Sequence, residues 1–138
     1  MKWLLDTNII IHALNGTPSV RRRLNEAEER GEILTSAVVV GELIYGAECS
    51  ARCEENRENI RQKLERIGIV PLDARVADRW GTLKSRLRAR GRGKADIDLL
   101  IAATAVEQGA ILVTDDAALL AGDIPGLTVE NWTSERVP

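Results

Sequence analysis

Apolar positions come in short blocks along this chain, separated by polar helical patterns. The run Trp3-Leu4-Leu5 ends on Asp6, and the following Thr7 to Leu14 (TNIIIHAL) mixes polar with apolar positions, as where a buried strand passes into a helix. Asp6 is therefore expected at the carboxyl end of a first strand. Pro18 and Ser19 open a polar, Arg- and Glu-rich helix to about Arg30, Gly31 stops it, and a short strand ends at Thr35 and Ser36. An apolar helix follows from Ala37 to about Ala47, capped by Ser36, and then a strongly charged helix from near Glu54 to Arg66. Gly68-Ile69-Val70 reads as a strand broken by Pro71. Asp73 is placed to cap a helix carrying Val76, Trp80, Leu83 and Leu87 at three-to-four spacing, which Gly91 and Gly93 end. The stretch IDLLIAATAVEQGAILVTDD holds an apolar helix, a stop at Gly109, and a strand from Ala110 to Val113 leading into Thr114, Asp115 and Asp116. A last strand is expected around Leu127 to Val129.

Strands alternating with helices predict an α/β fold of three layers, α/β/α, around a central, mostly parallel sheet of four to five strands. Such sheets bind ligands outside the carboxyl ends of their strands. With 138 residues, 44% of them hydrophobic, the chain has material for one core, and a single domain over 1–138 is expected. No apolar run has the length of a membrane span and no signal-peptide pattern follows Met1, so a cytoplasmic protein is expected.

The formal charge of -2 hides an asymmetry. Between Arg75 and Lys94 stand eight Lys or Arg residues against one acid, Asp78, a net charge of +7. A basic face from Arg79 to Lys94, with Arg86, Arg88, Arg90 and Arg92 at its centre, could follow a phosphate backbone or could simply be solvated. Aromatic residues make up 3% of the chain, which leaves few platforms for stacking bases. Cys49 and Cys53, with His12 as the sole histidine, make a poor zinc set and are expected as two reduced thiols.

The carboxylates carry more chemistry. Asp6 and either Asp115 or Asp116 follow strands and belong to one rim of a parallel sheet, and Glu42 and Asp98 lie on helices that could reach it. Glu42 shares a helical stripe with Val38, Val39 and Tyr45, so it is expected on or beside an inward face, at a cost on the order of several kcal/mol unless paired or metal-bound. A helix beginning near Ile97 would put Asp96 at its cap and Asp98 inside its first turn, about 200° further round. Asp6 and Asp98 could equally be helix-terminus residues serving structure alone. Gathered acids repel one another until a divalent cation neutralises them, and oxygen donors suit Mg²⁺ or Mn²⁺. Hydrolysis of a phosphodiester by a metal-activated water needs neither His nor Cys.

The same residues carry a resemblance that covers nearly the whole chain. LLDTNIIIHAL, SAVVVGELIYG, DLLIAATA, LVTDD and GLTVENW resemble, in order and spacing, the successive motifs of PIN-domain ribonucleases, and within them the VapC-like toxins of VapBC toxin–antitoxin systems. The resemblance implies a PIN-like fold and an Mg²⁺- or Mn²⁺-dependent endoribonuclease acting as a toxin. Its metal-binding acids would be Asp6, Glu42, Asp98 and Asp116, with Asp115 and Asp96 as near misses that could substitute. Asn8, Ser36 and Thr114 would support them by orienting carboxylates or water. A homodimer, an RNA substrate, and a small VapB-like antitoxin through which DNA is bound indirectly are implied as partners. The chain departs from the pattern at Val39, where relatives commonly carry Thr, and at Leu119-Leu120, where a Phe is usual.

Other classes fit less well. A phosphotransferase with an aspartyl-phosphate would want Asp at position 8, which is Asn8. A receiver domain would want a late Lys, and none follows Lys94. A PIN-fold partner in a DNA-binding complex, with incidental or no nuclease activity, remains the non-enzymatic reading; a short upstream gene for a DNA-binding protein with an Arg-bearing tail would favour the toxin.

Overall fold

The computed structural model describes residues 1–134 of the chain. Five strands, β1 (Lys2–Leu5), β2 (Glu32–Ser36), β3 (Gly68–Val70), β4 (Ile111–Val113) and β5 (Thr128–Glu130), form one sheet in the order β3-β2-β1-β4-β5. Every pairing is parallel, so the sheet is wholly rather than mostly so. Successive strand residues face opposite sides, and Trp3, Leu4 and Leu5 are all buried. Both faces of β1 are therefore covered, which is why its sequence is a continuous apolar run.

Among the described residues seven helices supply the cover: α1 (Thr7–Leu14), α2 (Pro18–Arg30), α3 (Ala37–Glu48), α4 (Cys53–Leu64), α5 (Ala74–Ala89), α6 (Asp96–Gln108) and the short α7 (Ala117–Leu120). The expected caps form: Ser36 Oγ accepts from Val38 N–H at 3.0 Å, and Asp73 Oδ1 from Val76 N–H at 3.0 Å. Gly109 closes α6 in the left-handed conformation, φ 61°, which glycine adopts without strain. The four-residue α7 has no counterpart in the sequence expectation.

The chain runs outward from β1 through β2 to β3, then returns to the other side of β1 as β4. The order of strand addition thus reverses between β1 and β4, and the carboxyl ends of these two strands flank the crevice where open α/β sheets take ligands. Asp6 follows β1 and Thr114 to Asp116 follow β4, so topology alone brings residues a hundred positions apart together. The ladder extends past the strands, Asp6 N–H donating to Val113 O at 2.9 Å.

Two expected phases need correction. Tyr45 does not join the inward stripe of α3: it is 72% exposed, and Val39, Leu43 and Ala47 form the buried line. With that line at the centre, Glu42 falls on the flank of the helix rather than its base. The helix carrying Asp98 begins one residue earlier than expected, with Ala95 at the cap position. Asp96 is inside the helix and caps nothing.

Candidate active site

Asp6 is buried at 5% exposure, and both its oxygens are engaged. Oδ1 accepts from Thr7 N–H at 2.8 Å, the capping role open to it from sequence, while Oδ2 accepts from the Thr114 hydroxyl at 2.8 Å. Thr114 is fully buried, and its Oγ1 also accepts from Asp116 N–H at 3.0 Å. One hydroxyl thus couples the end of β1 to the loop after β4. Asp116 Oδ1 in turn accepts from Ala118 N–H at 2.8 Å and caps α7.

Glu42 comes from α3, and its Oε1 accepts from the Thr7 hydroxyl at 2.6 Å. Asp98 comes from the first turn of α6. Their electrostatics place the four acids in one field. Burial pushes the Asp98 carboxyl up to about 6, and the charges of Asp116, Asp6 and Glu42 add to it. Asp6 is also raised, first by burial and further by Glu42 and Asp116, against the lowering effect of its bonds from Thr114 and Thr7. Acids from four separate elements therefore raise one another's pKa at Asp98 and Asp6.

Among the described residues no three His, Cys, Asp or Glu side chains are gathered tightly enough to cage a metal ion. The donor chemistry nevertheless fits a hard divalent cation. Mg²⁺ keeps most of its waters and takes one or two carboxylates rather than a closed protein cage, so a loose oxygen-only set suits it.

The near misses are engaged elsewhere. Asp96 is exposed and bonded to Lys84 Nζ at 2.8 Å, and Asp115 Oδ2 lies 3.2 Å from His12 Nε2. Ser36 is buried at the end of β2 and caps α3. Asn8 is exposed on the first turn of α1, and the hydroxyl that orients a carboxylate there is its neighbour Thr7. Sequence reasoning passed over Thr7 although it directly follows Asp6. It also set His12 aside because the residue lies far from the cysteines.

The basic segment is less open than its composition implied. Arg79 pairs with Glu107 at 2.7 Å, Lys84 with Asp96, and both Arg92 and Lys94 with Asp123 Oδ2 at 2.8 Å. Arg86, Arg88 and Arg90 are exposed and without an ion pair among the described residues. They do not share one face: at 100° per residue, Arg86 and Arg90 lie on one side of α5 and its end, with Arg88 roughly opposite.

A groove of about 980 Å³ opens beside Glu42, its lining including the aliphatic Ile11, Leu24, Leu43 and Ile60 and the polar Arg21, Asn56, Asn59 and Lys63. Among the described residues no helix is long and apolar enough to cross a membrane.

The family model of the PIN domain matches residues 3–123. The chain is 36% identical over 134 residues to the tRNA(fMet)-specific endonuclease VapC of Shigella flexneri, covering 96% of this chain and 99% of that protein. It superposes with a TM-score of 0.88, at 33% identity, on a chain of VapBC2 from Rickettsia felis bound to a DNA fragment from their promoter, covering 96% of this chain and 99% of that one. A chain of DNA-bound VapBC from Salmonella typhimurium matches with a TM-score of 0.87 and 29% identity, covering 96% and 98%.

Proposed function

Because the chain belongs to the PIN-domain family, and to the VapC ribonucleases within it, we propose that it is an endoribonuclease toxin that hydrolyses RNA phosphodiester bonds with Mg²⁺ or Mn²⁺ held by Asp6, Glu42, Asp98 and Asp116. The observation that carries the site is the shared field of four acids at the β1/β4 reversal, where Asp98 is raised to about 6. Such an ion supplies Lewis acidity toward the phosphodiester and lowers the pKa of a water.

The chain's own residues do the rest. Thr114 fixes Asp6 in a buried position, so its carboxylate enters the site without rotational freedom. Thr7 holds Glu42 against the start of α1. Asp98, raised to about 6 by burial and by its acidic neighbours, would be driven to ionise by a bound cation. Arg86 and Arg90, exposed on α5 and its end, would attract RNA phosphates without base recognition.

The regulatory partner is a small VapB-like antitoxin, through which DNA would be bound, and the toxin itself is a homodimer. The groove beside Glu42 suits a peptide of that partner better than RNA, since its apolar lining is aliphatic and offers no aromatic face on which a base could stack. A basic side chain on such a peptide would meet Glu42 at the groove's end.

The test is cleavage of RNA by the purified chain, with tRNA(fMet), the substrate named for the Shigella relative, as the first RNA. Cleavage in Mg²⁺ that stops in excess EDTA and returns with added Mg²⁺ is expected. Undiminished cleavage in chelator would remove the metal mechanism.

A further inference from the structure

Thr17 stands at the N-cap of α2, where a threonine hydroxyl ordinarily accepts from a free helix N–H and stabilises the helix. Its side chain makes no such bond. Instead Oγ1 lies 3.0 Å from His12 Nδ1, and His12 Nε2 lies 3.2 Å from Asp115 Oδ2. A carboxylate only accepts, so Nε2 carries the proton directed at Asp115, while Nδ1 lies against the Thr17 hydroxyl. The backbone closes the same link, Thr17 N–H donating to His12 O at 2.9 Å. The hydroxyl is thus turned from its capping role to His12, five residues earlier, and through His12 toward Asp115, 103 positions away, a departure from local preference of the kind found at functional sites.

Asp115 lies between the two residues that join the loop after β4 to the acidic cluster. Thr114 holds Asp6, and Asp116 faces Asp98. The helix that follows has only four residues and gives this loop little support of its own. We infer that His12, oriented by Thr17, is a positioning residue: through Asp115 it braces the loop 114–116 against the end of α1, presenting Asp116 to Asp98 and keeping Asp115 itself away from the cation. The inference rests on the cation site proposed above.

Its test is Mn²⁺ binding to the purified chain by calorimetry, in the wild type and in His12→Ala, His12→Gln, Asp115→Ala, the His12→Ala/Asp115→Ala double variant and Asp98→Asn. His12→Ala should weaken Mn²⁺ binding about tenfold, the low end of what an outer-shell partner costs. His12→Gln, whose amide N–H can still reach Asp115, should recover most of it. Asp115→Ala should match His12→Ala, and the double variant should be no worse than either, because the two act through one contact. Unchanged binding in His12→Ala, additive losses in the double variant, or no rescue by Gln would overturn the brace. If the wild type and Asp98→Asn bind Mn²⁺ alike, the cation site itself is misplaced and the brace falls with it; loss in Asp98→Asn with His12→Ala intact removes the brace alone.

Discussion

Thr114 and Asp98 respond to the site in opposite ways, one by holding it together and the other by resisting it. Thr114 donates to Asp6 and accepts from Asp116 N–H within a fully buried environment. Replacing it with Val keeps the shape and strands both partners, so Thr114→Val should destabilise the chain by about 1–3 kcal/mol and weaken Mn²⁺ binding, measured by denaturant unfolding and calorimetry. Retention of wild-type stability would mean that water replaces the hydroxyl. Asp98 and Asp6 both have raised pKa values, Asp98 to about 6, so the folded chain holds protons that the unfolded chain has released. The sign follows directly: their contribution is most favourable below the unfolded value of 3.8 and is lost as pH rises through the folded value. Without metal, thermal stability should fall between about pH 4 and 6, and Asp98→Asn should flatten that fall. A steeper fall in the variant would contradict the repulsion. The Thr7 contact of Glu42 was not legible in the sequence, because it joins two helices 35 positions apart and has no local signature, whereas Thr114 already stood among the residues that the resemblance implied as orienting carboxylates.

At the level of elements, most of the organisation was legible: the strand ends that carry Asp6, Ser36 and Thr114, the caps Ser36 and Asp73, and the stops at Gly31 and Gly109 all follow local turn and cap chemistry. Helix phase was less so. The stripe through Val38, Val39 and Tyr45 misplaced Tyr45 because apolar residues surround α3 in the sequence, and only packing decides which of them face inward. The start of α6 slipped by one residue because Asp96 is a capping type, while the residue at the cap position, Ala95, is not. Asp96 is consequently a surface partner of Lys84, worth about 0–1 kcal/mol, and Asp96→Asn should leave both cleavage and stability close to wild type. Gly31 is required for a different reason. A Cβ there would stand 2.0 Å from the Met1 carbonyl oxygen, which accepts the Glu32 N–H beside it. Backbone must move to make room, so Gly31→Ala should lower the unfolding midpoint clearly by pushing β2 from β1; an unchanged midpoint would show that the amino end yields freely.

Over the whole molecule, a mildly acidic chain presents its acids and its open arginines on different elements, and only the arginines can attract RNA from a distance. The net charge of the segment from Arg75 to Lys94 was plain in the sequence, but its neutralisation was not, since Glu107 and Asp123 arrive from later elements. Arg86→Gln/Arg90→Gln should therefore flatten the salt dependence of RNA binding by about two contacts' worth of slope, while Arg92→Gln should change the slope little and loosen the turn around Asp123 instead. Equal slopes in both variants would place the RNA elsewhere. The claim on which everything else depends is that Asp6, Glu42, Asp98 and Asp116, from four elements, form one divalent-cation site. Its most direct measurement is a Mn²⁺ binding isotherm for the wild type beside Asp6→Asn, Glu42→Gln, Asp98→Asn and Asp116→Asn, with Asp96→Asn as the control. Weakened binding in all four variants and wild-type binding in the control is the predicted result, whereas wild-type binding in Asp98→Asn, or loss in Asp96→Asn, would contradict it.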